Sequence, residues 1–394
     1  MGDSAAIGVR PDTVAPPSRP VRPPSLLDAL LPVIVLIGLL ALTIAVFGVD
    51  ATDGPLQVAL LLGAAFASLM AFKNGHSVAA VADAAVGGVS TAMGAIFILL
   101  AVGSLIGTWN MAGTIPTVVD YGIRLMVPAW FFFTTALICA VVGMVTGSSW
   151  TTAGTLGVAF VGMATVMDLS TAAAAGAVIC GAYFGDKMTP LSETTILVPR
   201  LVGRDLTVGT HVRNMAWTAG PALAVSLVIF LFIGHNAKPT GDVDTAAAEQ
   251  ALEQSFHVSL ICLLPLFLLV VLAARRVPPF LAILGSALFA GVLGCLIQPD
   301  AVEAFVNEPG QGGFATGVEA VVGAMATGFV SHSGAEAVDQ LFSRGGMASM
   351  LTTVWLILGA LSFAAVMEHA GFLGRLLAPV VARTRRRGSL ILAV

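Results

Sequence analysis

Apolar runs long enough to cross a lipid bilayer recur along this chain from Leu30 almost to its end. The hydrocarbon core of a bilayer takes roughly 20 residues of helix. Inside it the backbone must satisfy its own hydrogen bonds, so irregular backbone survives only where protein or a wet cavity surrounds it. The chain is 57% hydrophobic and only 10% charged, whereas a soluble domain carries about 25% charged residues. These numbers leave no room for a sizeable soluble domain and predict an all-α polytopic membrane protein. The net charge of −4 says less than where the charges fall. Cys139, Cys180, Cys262 and Cys295 lie singly in apolar runs. Without a CxxC or a His/Cys cluster they read as small core residues.

Residues 1–24 are rich in Pro and Arg, have no apolar face, and read as a disordered cytoplasmic tail. Residues 25–394 form the transmembrane part. Leu30–Gly48 is too long and too poorly terminated for a signal peptide. Basic residues orient the spans. Arg10, Arg19 and Arg22 place the N-terminus in the cytoplasm, and Leu30–Gly48 then runs outward. The further expected spans are Leu56–Phe72, Thr91–Trp109, Val127–Thr146, a short pair Gly154–Met167 and Thr171–Tyr183, His211–Gly234, His257–Ala273, Phe280–Ile297 and Met350–Met367. Gly312–Val330 is apolar enough to be re-entrant. Trp109, Trp130 and Trp217 fit interfacial anchoring.

One stretch breaks the pattern. Gly181–Pro199, GAYFGDKMTPLSETTILVP, follows an apolar run yet carries Asp186, Lys187 and Glu193. It also holds four hydroxyls, Thr189, Ser192, Thr194 and Thr195, and two expected helix breakers, Gly185 and Pro190. This predicts a helix interrupted inside the membrane, as transporters use to hold ions. A second interruption is expected at GSSWTT, from Gly147 through Ser148, Ser149, Trp150 and Thr151 to Thr152.

The stretch Phe72–Gly113 is similar to Phe329–Gly371. Gly88 answers Gly345, Met93 answers Met350, and TWNMAG (Thr108–Gly113) answers MEHAG (Met367–Gly371). With the orientation above, the two copies run in opposite senses. The expected architecture is an inverted-topology repeat with discontinuous helices. The first repeat covers about 72–200. The second begins near 329 and is incomplete at 394. By the symmetry of the copies, very roughly 70 further residues are expected after Val394.

GSSWTTAGTLGVAFVG (Gly147–Gly162) and GAYFGDKMTPLSETT (Gly181–Thr195) resemble the signatures of the NhaC-type Na+/H+ antiporter family, within the ion transporter superfamily. EAVDQLFSRGGMASM (Glu336–Met350) resembles the second half of that family. Glu193 stands where the family more often has Asp. The resemblance implies a multi-pass transporter of the bacterial inner membrane that exchanges Na+ for H+. Some members couple this exchange to small carboxylates such as malate and lactate. It implies no enzymatic activity, no cofactor beyond the transported ions, and no nucleic-acid partner.

Na+ is a hard cation and takes oxygen ligands. Asp186 is the expected principal carboxylate and Glu193 the second. The hydroxyls of both interruptions and the carbonyls freed near Gly185 and Pro190 complete the oxygen set, and the C-terminal end of a helix would add its negative dipole. A carboxylate facing a low-dielectric cavity takes a proton or Na+ but not both, which is the simplest exchange mechanism. Lys187 would balance the charge of the empty site. Secondary candidates are Gly147 and Trp150 in the turn, Glu336 and Asp339 on one helical face, and Glu368 at a helix end.

Blander readings stay open at this point. Asp186–Lys187 also suits a solvated cytoplasmic turn, and GSSWTT suits small-residue helix packing. A channel is a second functional class, although no TVGYG-like filter occurs. A nucleotide-driven pump lacks GxxxxGK[ST], and an intramembrane metalloprotease lacks HExxH. An Na+-coupled exchanger of organic or amino acids is the alternative within transporters. Oligomeric state has no signature in the residues.

Overall fold

The computed structural model describes residues 21–125, 127–147, 149–167, 169–190, 192, 195, 207–237, 256–275, 277–306, 313–332, 339 and 342–383. Among the described residues every regular element is helical. Seven helical segments are long and apolar enough to cross a membrane: Leu26–Asp53, Pro55–Lys73, Met93–Met111, Pro128–Thr146, Val208–Asn236, Pro279–Ile297 and Met347–His369. They lie within a few residues of seven of the expected spans. His257–Ala273 differs. There a 3-10 turn, Leu260–Leu263, leads into the eleven-residue helix Leu264–Ala274. Eleven residues rise only about 16 Å, short of the bilayer core. The helix in the Gly312–Val330 stretch is Phe314–Ala326, thirteen residues.

The chain divides into two compact units. The first comprises residues 1–93 and 352–394, and the second comprises residues 94–351. In the first, helix α1 (Leu26–Phe47) packs on α2 (Pro55–Lys73). Ser25 starts α1 with a reciprocal cap. Its hydroxyl accepts from the Asp28 N–H at 3.1 Å, and the Asp28 carboxylate accepts from the Ser25 N–H at 3.1 Å. Each such bond satisfies a backbone donor that the first turn leaves unpaired. Lys73 Nζ, at the end of α2, bonds Asp28 Oδ1 at 2.7 Å. Gln57 is buried and donates to the carbonyls of Thr52 and Thr352, tying α2 to the helix Met347–His369. After α2, His76 stacks edge-on against His369, with ring centroids 5.1 Å apart.

The second unit contains α4 (Met93–Met111, from Gly94 on), α5 (Thr114–Leu125), α6 (Phe131–Thr146), α7 (Ser149–Thr152), α8 (Val158–Val166) and α9 (Thr171–Lys187). Helix α3 (Val78–Ser90) belongs to the first unit. The closest helix pair is α6 with α9. Gly181 and Gly185, spaced as GxxxG, lie on the contact. A Cβ on Gly181 would overlap the carbonyl oxygen of Ala136, and one on Gly185 that of Ala140. In lipid, where apolar surface gives helices no reason to associate, such backbone proximity and dispersion hold them together. Gly185 is therefore a packing residue. The sequence expectation that it breaks the helix is corrected: α9 continues through Gly185 and Asp186 to Lys187.

Trp109 also differs from expectation. It is not interfacial but 2% exposed, and its indole N–H donates to Ser286 Oγ at 3.2 Å. Ser286 in turn donates to the Pro265 carbonyl at 2.8 Å. Trp130 and Trp217 are exposed. Cys139 and Cys262 are fully buried, and Cys180 and Cys295 partly so, all four as free thiols.

The two similar sequence stretches share one local geometry. α4 ends at Met111, Gly113 turns with φ +72°, and α5 begins. The helix Met347–His369 ends, Gly371 turns with φ +72°, and Phe372–Arg383 begins. In each, the glycine N–H bonds the carbonyl three residues back at 3.0 Å, from Gly113 to Asn110 and from Gly371 to Glu368.

Two outcomes follow. Gly181→Ile should force α6 and α9 apart and destabilise the protein by about 1–3 kcal/mol or more, read as a lower melting temperature in detergent. Burial, reinforced by the charge of His369, pushes the His76 imidazole below its ordinary value of 6.5. As pH falls below 6.5 the unfolded chain takes up this proton before the folded one does, so stability is lost as pH falls through that window. His76→Gln should flatten the acid side of the melting-temperature profile.

Candidate functional site

α6 ends at Thr146 because Gly147 adopts the left-handed conformation (φ 67°, ψ 22°), and its N–H bonds the Gly143 carbonyl at 2.9 Å. Side chains with a Cβ rarely adopt that geometry, so glycine is the usual stop signal here. The short α7 follows, then a π-turn at Ala153–Gly157, then α8. The GSSWTT stretch thus begins where α6 stops at Gly147 and carries on from Ser149 as short, irregular helix. It carries its hydroxyls where the regular ladder of backbone bonds is interrupted.

α9 starts at Ser170, whose hydroxyl accepts from the Ala173 N–H at 3.2 Å. Held against α6 by its two glycines, it delivers its C-terminal end to the same place. Ser149 Oγ donates to Asp186 Oδ2 at 3.5 Å, a long contact that brings the two interrupted segments together. Thr146 Oγ1 and Thr152 Oγ1 are 3.2 Å apart. α9 closes at Met188, whose N–H bonds the carbonyls of Phe184 and Gly185. The carbonyls that a helix end leaves unpaired find a partner in Thr195. Its hydroxyl donates to Asp186 O and Lys187 O, both at 3.4 Å. The Thr195 N–H reaches Ser192 Oγ at 3.5 Å.

The group is secluded. Asp186 is 7% exposed, and Thr152, Thr189, Ser192 and Thr195 are buried too. A carboxylate, several hydroxyls and the carbonyl end of a helix make an oxygen-rich, electronegative spot, since a helix C-terminus carries about half a negative charge. Among the described residues no group of three or more His, Cys, Asp or Glu could hold a metal ion.

The structure brings Asp186, Ser149, Thr195 and Ser192 together through the bonds above, and seats Thr152 beside Thr146. Lys187 occupies the last turn of α9, half-buried. Trp150 is 55% exposed. Ser148, Glu193, Thr194 and Glu336 lie outside the described residues, as does the side chain of Thr151. Asp339 is half-buried, and its carbonyl accepts from the Ser343 N–H at 2.9 Å. Glu368 is exposed, one residue from the end of Met347–His369, and belongs to the first unit. Sequence reasoning missed the polar side chains of the α4–α5 turn: Asn110, Thr114, Thr117 and Asp120 are each 1% exposed or less. The three-residue steps Thr114, Thr117, Asp120 along one helical face are the signal that marks them.

The model of the Na+/H+ antiporter family matches this chain over residues 26–203 and 181–394, two stretches that overlap on the α9 end and the segment after it. The chain is 36% identical over 339 residues to the Na+/H+ antiporter NhaC of Alkalihalophilus pseudofirmus, covering 86% of this chain and 69% of the relative. It is 30% identical over 360 residues to the malate-2H+/Na+-lactate antiporter of Bacillus subtilis, covering 90% and 71%. It is 33% identical over 360 residues to the arginine/ornithine antiporter ArcD of Halobacterium salinarum, covering 90% and 69%. No solved structure matches the chain. Apolar spans, family model and relatives agree: this chain belongs to the Na+/H+ antiporter family, as a multi-pass membrane transporter of NhaC type and not an enzyme.

Proposed function

We propose that this protein exchanges Na+ for H+ through a shared site at Asp186. The observation that carries the reading is the meeting of the Ser149 hydroxyl with the Asp186 carboxylate, 3.5 Å apart, at the end of a helix. Asp186 takes either ion. With Na+ bound, the Ser149 hydroxyl and neighbouring oxygens turn their lone pairs to the cation. With H+ bound, the carboxyl is neutral and donates to one of those oxygens. Because the ions exclude each other, movement of the loaded site across the membrane exchanges one for the other. Glu193, Thr194, Ser148 and Thr151 complete the ligand set in this reading, and Lys187 steadies the site when it is empty. The equal turns at Gly113 and Gly371 support an internal repeat; with the opposite orientations that the basic residues give the two copies, its halves would expose the site alternately to either side. We place the protein in the bacterial inner membrane, with the Arg-bearing N-terminus in the cytoplasm.

A second reading is Na+-coupled exchange of a small carboxylate or amino acid. Relatives whose names specify malate and lactate, or arginine and ornithine, each match 90% of the chain. Lys187, next to Asp186, is a suitable contact for a carboxylate.

In reconstituted vesicles, Asp186→Asn should lower Na+-driven H+ movement by at least about 100-fold, the scale expected when the ion-carrying charge is removed from a low-dielectric site. Ser149→Ala should raise the KM for Na+ several-fold while leaving kcat within about twofold, as a lost hydroxyl ligand worth roughly 1 kcal/mol predicts. Exchange at wild-type rate and pH dependence by Asp186→Asn would remove Asp186 from the mechanism. A requirement for malate, lactate or arginine on the opposite side would favour the second reading.

A further inference from the structure

Helical hydroxyls in this protein usually donate back to the carbonyl one turn earlier, as Thr43 does to Leu39, Ser68 to Ala64, Thr165 to Val161 and Ser226 to Ala222. Thr114 and Thr117 do not. Both are 0% exposed, and their hydroxyl oxygens have no hydrogen-bond partner among the described residues. Asn110 Oδ1, on the last turn of α4, is likewise buried and unpartnered. Buried polar atoms in native proteins are nearly always satisfied, and those that are not call for a water, an ion or a ligand. Thr114, Thr117 and Asp120 follow at three-residue steps and so share a face of α5. That face is turned inward, with Asp120 1% exposed. The set is an amide oxygen, two hydroxyls and a carboxylate. All four offer oxygen acceptors, which suits a hard monovalent cation. α5 rises about 9 Å from Thr114 to Asp120, so one ion is held between neighbouring members rather than by all four.

We propose that Asn110, Thr114, Thr117 and Asp120 form a second Na+ subsite at the α4–α5 turn. Asp120 supplies the charge, and Thr117, one turn away on the same face, supplies a neutral ligand. None of these residues belongs to the Asp186 group, but the proposal rests on Na+ being the transported ion. A two-ion transporter has a readout beyond turnover, because the subsites fill and empty separately.

The test is equilibrium binding of radioactive Na+ to the purified full chain, together with the melting temperature as a function of Na+ concentration. Wild type should bind two Na+ per chain. Thr117→Val and Asp120→Asn should each lose one, or bind it at least tenfold more weakly, while Thr117→Ser retains it. Thr117→Val removes an unpartnered hydroxyl, so its melting temperature without Na+ should be unchanged or higher, which separates lost binding from misfolding. Asp186→Asn should keep the second ion. If Thr117→Val and Asp120→Asn both bind Na+ as wild type does, the turn holds only water and the proposal is overturned. If Asp186→Asn alone then loses an ion, the Asp186 reading survives. Wild-type protein that binds no Na+ overturns both.

Discussion

Backbone contact between α6 and α9 positions everything at the candidate site. Two glycines one turn apart remove the side chains that would keep the helices separated, and the carbonyls of Ala136 and Ala140 fill the space a Cβ would take. This fixes the height of α9 relative to α6. α6 stops at Gly147 and α9 stops after Lys187, so the two ends meet, and Ser149 lies within reach of Asp186. A larger residue at either glycine would separate the chemistry without touching a polar group. In lipid this is the expected division of labour: small residues set the distance, and polar residues act within it.

Much of this was legible in the sequence. Helix positions follow from hydropathy because the bilayer fixes length and composition together. The expected Val127–Thr146 and Phe280–Ile297 are found as Pro128–Thr146 and Pro279–Ile297. The sequence also singled out GSSWTT and the GDKMTPLSETT segment as interruptions, and one residue of each, Ser149 and Asp186, lie 3.5 Å apart. The misreadings share one cause. Gly185 was taken as a breaker on local propensity, but its partner is a carbonyl 45 residues earlier in the chain, which no local rule sees. Trp109 was assigned to an interface because it ends a run, whereas its hydrogen-bond partner is 177 residues away. The inward face of α5 was overlooked because two threonines and an aspartate look ordinary in a helix with a polar side. Only burial shows that this polar side faces protein.

The first unit uses polar groups differently. Ser25, Asp28 and Lys73 are matched donor to acceptor, the Gln57 amide nitrogen donates to two backbone carbonyls, and together they fasten α1, α2 and Met347–His369. Lys73 is 62% exposed, so its ion pair contributes little, of order 1 kcal/mol or less. The cap and the buried glutamine do more, because each satisfies backbone groups that would otherwise be left dry.

The π-turn at Ala153–Gly157 separates the Ser149–Thr152 hydroxyls from α8. Such a turn holds one residue more than an α-helical turn. Converting it to ordinary α geometry would release that residue and swing α7 by about 100° around the helix axis. Ser149 would then face another direction while α8 stayed in place. The gap between a hydroxyl that meets Asp186 and one that does not is thus a single residue of winding.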